Sequence, residues 1–163
     1  MATFIEHIQQ SKKNLSFLSK ISTEVSDCWD WQVTVSFYTA LHLINSHIAA
    51  KTQANFLTHS RVDEVINPYN KLSVARLDED IYTSYTKLFQ LSRRSRYLLN
   101  ENYKKSDIIP ASLTHSKHVK KSIHHLQKIL DFIKKEYKQD FPQIEVKCVD
   151  LKGLKFENFS VVE

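Results

Sequence analysis

The apolar positions near the start of the chain, Phe4, Ile5, Ile8, Leu15 and Leu18, recur at the spacing of one face of an amphipathic helix. This predicts a first helix over about residues 2–20. A second, longer helix from roughly Ser26 to Ala50, capped by Ser22 or Ser26, carries the stripe Trp29, Val33, Phe37, Leu41, Ile44 and Ile48. Its other faces are apolar as well, so it is expected at the centre of the fold. Lys51 to Ser60 ("KTQANFLTHS") shows no period and reads as a loop. Ser60 and Glu64, near capping-box spacing, then open a short helix stopped by Pro68. Ile81, Tyr82, Tyr85, Leu88, Phe89 and Leu99 define a long helix from about Leu77 to Asn102, and a loop containing Pro110 follows. Ser112 opens a last helix whose stripe of Val119, Ile123, Leu126, Leu130 and Ile133 runs to about Lys138. The fold class is mostly α: an up-and-down bundle of four long helices plus a short helix, packed at shallow angles.

After Pro142 the period changes. "IEVKCVDLKGLKFENFSVV" alternates apolar and polar residues on either side of Lys152 and Gly153, which reads as two strands and a turn. The expected organisation is a bundle over residues 1–140 and a C-terminal β-hairpin extension over 141–163. An isolated hairpin is only marginally stable in water, so it should dock on the bundle or pair with a second chain.

Composition supports this pattern. A chain of 163 residues with 42% hydrophobic content suits one core, and a single Gly with three Pro leaves few tight turns for a many-stranded β fold. Cys28 and Cys148 show no metal-ligand spacing, and no leader-like run opens the sequence, so a reduced, cytoplasmic protein is expected. The most apolar stretch is interrupted by His42, Asn45, Ser46 and His47 before it reaches membrane-spanning length, which predicts no membrane segment. The net charge of +5 is compatible with phosphate-bearing partners and equally with proteins that bind none.

Those interrupting polar groups carry the candidate chemistry. In "FYTALHLINSHIAA" (Phe37 to Ala50), Tyr38, His42 and Asn45 fall along one line of the second helix. On the fourth helix, advancing about 100° per residue from Tyr85 brings Ser92 and Arg96 to the same inward face and leaves Arg94 opposite. A guanidinium buried without a partner costs several kcal/mol, on the order of the 3–5 seen when buried pairs are broken, so Arg96 must find a carboxylate, carbonyl, phenol or water. The two lines are expected to meet. Taken singly, His42 reads as a hydrogen-bonded core histidine, Tyr38 and Tyr85 as core aromatics, and "SRRSRY" (Ser92 to Tyr97) as a solvated basic face. Taken together, an inward Arg beside an inward His or Tyr has the makings of an anion or phosphate site.

The last helix adds His115, His118, Ser122 and His125 among Lys117, Lys120 and Lys121. The spacing of His115 and His118 fits zinc geometrically, yet no Cys, Asp or Glu joins them, and "HSKHVKKS" reads better as a basic flank that stays wet or touches phosphates. No metal and no cofactor is expected. Cys28 beside Trp29 reads as packing.

Three stretches, "WDWQVTVSFYTALHLINSHIA", "THSR" and "YTKLFQLSRRSRYLL", make the segment from about Trp29 to Leu99 resemble the HEPN-like helical proteins of prokaryotes. The resemblance implies a helical bundle, usually dimeric, with many relatives implicated in RNA cleavage, toxin–antitoxin pairs or antiviral defence. It also implies Tyr38, His42, His59, Arg61, Arg93, Arg96 and Tyr97 as site positions. The ribonucleases of that family carry an Arg followed four to six residues later by His, and this sequence departs from the pattern: the window after Arg96 holds Glu101, Asn102 and Tyr103. Three readings follow. The first is a homodimeric module that binds RNA or a nucleotide through Arg96, His42 and His59. The second is a metal-independent ribonuclease in which His42 or His59 is the general base and Arg96 stabilises the phosphorane. The third is a protein-interaction partner whose polar cluster only fixes helix register. The missing Arg-to-His spacing favours the first and third.

Overall fold

A computed structural model describes residues 2–25, 27–54, 56, 58–100, 109–110 and 113–162. Among these residues five helices follow in order: α1 (Phe4–Glu24), α2 (Trp29–Thr52), α3 (His59–Ile66), α4 (Glu79–Tyr97) and α5 (Ser116–Tyr137). The mostly α bundle with a small β appendage is the architecture that the apolar periods predict. Among the described residues, no helix is long and apolar enough to cross a membrane.

Local chemistry sets where each helix starts. Thr3 and Glu6 form a reciprocal capping box on α1, the Thr3 N–H donating to Glu6 Oε2 at 2.7 Å and the Glu6 N–H to Thr3 Oγ1 at 3.3 Å. Cys28 and not Ser22 occupies the N-cap of α2, without a side-chain cap bond. Ser22 lies inside α1 and bonds Gln32 and Lys147 instead, and Ser26 falls outside the described residues. The short helix is capped by Thr58 and not by Ser60, because the Arg61 N–H donates to Thr58 Oγ1 at 3.4 Å while Glu64 turns to the Arg61 guanidinium. Asp78 caps α4 by accepting the Ile81 N–H at 2.9 Å.

The α4 helix ends at Tyr97, earlier than its apolar pattern suggests, since Leu98 takes a left-handed conformation with φ 51°. Leu99–Asn100 (β1) then pairs antiparallel with Ile109–Pro110 (β2). Ser112 and the window Glu101 to Tyr103 lie outside the described residues. His115 caps α5, its N–H donating to His118 Nδ1 at 2.9 Å, which accounts for the three-residue spacing of that pair without a metal.

The core forms around α2, which packs against α1, α4 and α5. Phe37, Leu43, Ile44 and Ile48 are fully buried on it, together with Leu15 and Leu18 of α1, Leu88 of α4 and Ile123, Leu126 and Leu130 of α5. The buried hydroxyls of Ser36, Thr39 and Ser46 donate to α2's own carbonyls three or four residues back, so a helix with apolar contacts on most sides carries them at little cost.

The C-terminal appendage is a two-stranded sheet, but not a hairpin. Ile144–Lys147 (β3) and Phe159–Val162 (β4) run parallel, with Ile144 opposite Phe159. The residues between them form a 3-10 turn at Val149–Leu151, swing through Gly153 at φ 79° and cross back before pairing begins. The sheet docks on the bundle, one of the two outcomes that its marginal stability demands. Ser19 Oγ donates to the Glu145 carbonyl at 2.9 Å, Gln127 Nε2 of α5 donates to Asn158 Oδ1 at 3.0 Å, and Val146, Leu151 and Phe159 are buried in the same core cluster.

His47 gives this core a pH limit. Its Nε2 lies 3.0 Å from the Ala75 carbonyl, which can only accept, so Nε2 carries the proton and Nδ1 accepts from the Tyr137 hydroxyl at 2.7 Å. That arrangement requires the neutral ring, and burial holds its pKa below the ordinary value. Burial likewise lowers His42, His59 and His118, and takes His125 down to about 4 from 6.5. The unfolded chain therefore binds more protons than the folded one below pH 6.5, and stability falls as pH drops through that value toward 4. The melting temperature should be nearly flat between about pH 7 and 8 and decline steadily below about 6.5. In His125→Gln the decline should be shallower by about one proton; a slope equal to that of the wild type would contradict the assignment.

Candidate nucleotide-binding site

The exposed side of α4 and the short α3 bring most of the candidate residues together. Arg96 Nη1 donates to the Tyr38 hydroxyl at 3.4 Å, and Arg96 Nε to the Ser92 carbonyl at 3.4 Å. The same guanidinium lies 5.8 Å from the Tyr38 ring centroid and 5.1 Å from that of Tyr97. Arg96 is half-buried rather than enclosed, and among the described residues no carboxylate pairs with it.

His59, at the first position of α3, packs its ring 5.0 Å from Phe89 and 5.5 Å from Phe37. Burial lowers its pKa first, and the charges of Arg96 and then Arg93 lower it further, so the imidazole is neutral and lies within the field of both cations. Arg93 sits 5.7 Å from the Phe89 ring centroid. A cleft of about 440 Å³ opens between these helices, with His59, Ser60 and Asp63 of α3 on one wall and Tyr85, Phe89 and Arg93 of α4 on the other. That volume lies in the range of small-molecule sites, roughly 300–1,000 Å³.

His42 takes a different position. It was expected to stand with Tyr38 and Asn45 against Ser92 and Arg96, yet it faces α1, with its Nδ1 3.1 Å from His7 Nδ1. Four steps of about 100° from Tyr38 overshoot a full turn by about 40°, enough to carry His42 past the α4 groove to the neighbouring helix. Asn45 Oδ1 and Ser92 Oγ are buried without a hydrogen-bond partner among the described residues, so the line of polar groups is only partly joined there. Arg61 stands exposed and is engaged by Glu64 at 3.1 Å. Tyr97 is exposed and serves Arg96 as a stacking surface.

Asp63 and Phe89 become site residues only through the fold, which sets both on the cleft. Their spacing offered a signal: Asp63 is one turn from His59, and Tyr85, Phe89 and Arg93 form a ladder of single-turn steps. Elsewhere, Cys28 Sγ donates to the Ile21 carbonyl at 3.0 Å and belongs to packing. No group of three His, Cys, Asp or Glu side chains gathers as a metal site among the described residues.

No protein-family model matches the sequence, and neither a curated protein nor a solved structure matches the chain.

Proposed function

We infer that the α3–α4 face binds RNA or a nucleotide, in a helical bundle that works as a HEPN-like binding module. The observation that carries this reading is Arg96: a guanidinium without a carboxylate partner among the described residues, held at two long hydrogen bonds beside a second arginine and a neutral histidine. Arginine donors arranged next to aromatic faces suit a phosphate adjoining a base. Phe89, His59, Tyr38 and Tyr97 supply those faces within one stretch of surface. The homodimer and the defence or toxin–antitoxin setting are proposals that rest on the family resemblance alone.

A ribonuclease reading is favoured by one observation, the neutral His59 beside Arg93 and Arg96. In that chemistry His59 takes the proton of the substrate's 2′-hydroxyl as that oxygen attacks phosphorus, Arg96 steadies the charge on the phosphorane, and the P–O5′ bond breaks to leave a 2′,3′-cyclic phosphate and a 5′-oxygen that takes a proton from the His59 imidazolium or water. His42, turned to His7, is the weaker candidate base.

Binding should be electrostatic, with little sequence specificity beyond the site. With two or three phosphates neutralised, the affinity for a short fluorescent single-stranded RNA should fall on the order of tenfold between about 50 and 200 mM salt. An affinity that does not change over that range would remove phosphate contact from the reading.

A further inference from the structure

Tyr85 lines the cleft yet is only 2% exposed, and among the described residues its hydroxyl has no hydrogen-bond partner. Leaving such a group unpaired is costly, and in native proteins each case calls for an explanation. Its neighbour along the helix, Tyr82, is satisfied: that hydroxyl donates to Asp63 Oδ1 at 3.0 Å. Asp63 lines the same cleft as Tyr85, is half-buried, and keeps acceptor capacity on both oxygens after taking the one bond from Tyr82. Burial, followed by the Asp63 charge, raises the Tyr85 pKa above its usual range, so the phenol stays protonated and able to donate.

The cleft thus combines a carboxylate that can only accept, a deep hydroxyl that can donate, an aromatic wall of Phe89 and His59, and Arg93 one turn along α4 from Phe89. We propose that it is a guanine pocket, in which Asp63 accepts from the N1–H and the exocyclic amine of the base while the Tyr85 hydroxyl donates to O6. This deepens the reading of the α3–α4 face as a nucleotide site and rests on it. Among the common bases, guanine alone sets two N–H donors side by side on its pairing edge next to a carbonyl acceptor. Adenine and cytosine present one amine beside a ring-nitrogen lone pair, which a carboxylate repels. Uracil and hypoxanthine offer a single donor. A site with a buried polar group rejects a ligand that leaves it unpaired, so the pocket discriminates by what the wrong base fails to satisfy.

The test is isothermal titration of the full chain with guanosine, inosine and adenosine 5′-monophosphates. Guanosine monophosphate should bind tightest. Inosine monophosphate, which differs only by the missing amine, should bind on the order of tenfold more weakly, and adenosine monophosphate about a hundredfold more weakly. Asp63→Asn keeps an acceptor for Tyr82 and should leave the melting temperature close to that of the wild type while narrowing the gap between the guanosine and adenosine nucleotides to within a fewfold. Three nucleotides of equal affinity, all weakened by Arg96→Met and none by Asp63→Asn, would overturn the guanine pocket and leave the nucleotide site standing. If neither these nucleotides nor a short RNA binds at millimolar concentration, both readings fall.

Discussion

Replacing Phe37 with Ala should lower the unfolding free energy by about 3–5 kcal/mol, the cost of emptying a fully enclosed aromatic position. Phe37 is 0% exposed and joins α2 to the site, its ring 5.5 Å from His59, 6.0 Å from Tyr85 and 5.5 Å from Phe89. The substitution opens a cavity beneath both walls of the cleft at once. With only eight residues, α3 cannot hold its helix by hydrogen bonding alone and depends on Val62, Ile66 and the His59 stack to stay on the bundle. For a chain of this length the loss corresponds to a fall in melting temperature of about 6–20 °C, read by circular dichroism. Hydrogen exchange should show α3 loosening more than α5, because the ring contacts of Phe37 run to His59 of α3 and to Tyr85 and Phe89 of α4. A fall of about 1 °C would mean that the ring is not the keystone between α2 and α3.

Arg96→Met should separate ligand binding from stability. Arg96 is half-buried, its two hydrogen bonds are both 3.4 Å long, and its stacking on Tyr38 and Tyr97 is matched in part by the methionine side chain. The change in stability should stay within about 1 kcal/mol of the wild type, on either side, since removing the charge also removes its desolvation. Affinity for RNA or a nucleotide should fall about 10- to 100-fold, the loss of hydrogen bonds from a charged group worth about 1.5–3 kcal/mol. Both quantities can be read from one preparation, by thermal unfolding and by fluorescence anisotropy. Unchanged binding with raised stability would make Arg96 a register device and would place any ligand elsewhere.

The four long helices were legible because each buries an apolar face for three or more turns, as the stripes Val33–Phe37–Ile44–Ile48 and Val119–Ile123–Leu126–Leu130 show. Their ends were less so. Leu98 stops α4 by taking positive φ, a role that no side-chain rule gives to leucine, and Leu99 extends the apolar pattern past the true end. Alternation identified Ile144–Lys147 and Phe159–Val162 as strands, but alternation is blind to direction, and the 3-10 turn at Val149–Leu151 made the pairing parallel. At the site, the meeting of Tyr38 with Arg96 was readable from helical angles alone. The cleft was not, because it depends on where α3 comes to rest on α4, and contacts such as Asp63 with Tyr82 join residues on separate helices.

The most direct measurement is photo-crosslinking of a short 4-thiouridine-labelled RNA containing guanosine, with the attached peptides mapped by mass spectrometry. Two basic surfaces are alternatives for the proposed phosphate contacts: the Arg93 and Arg96 face of α4, and the lysines of α5 at Lys117, Lys120 and Lys121. Crosslinks should fall on peptides of α3 and α4 containing His59, Phe89 or Tyr97, and excess guanosine monophosphate should suppress them. Crosslinks confined to the start of α5 and insensitive to the nucleotide would contradict a binding site between α3 and α4.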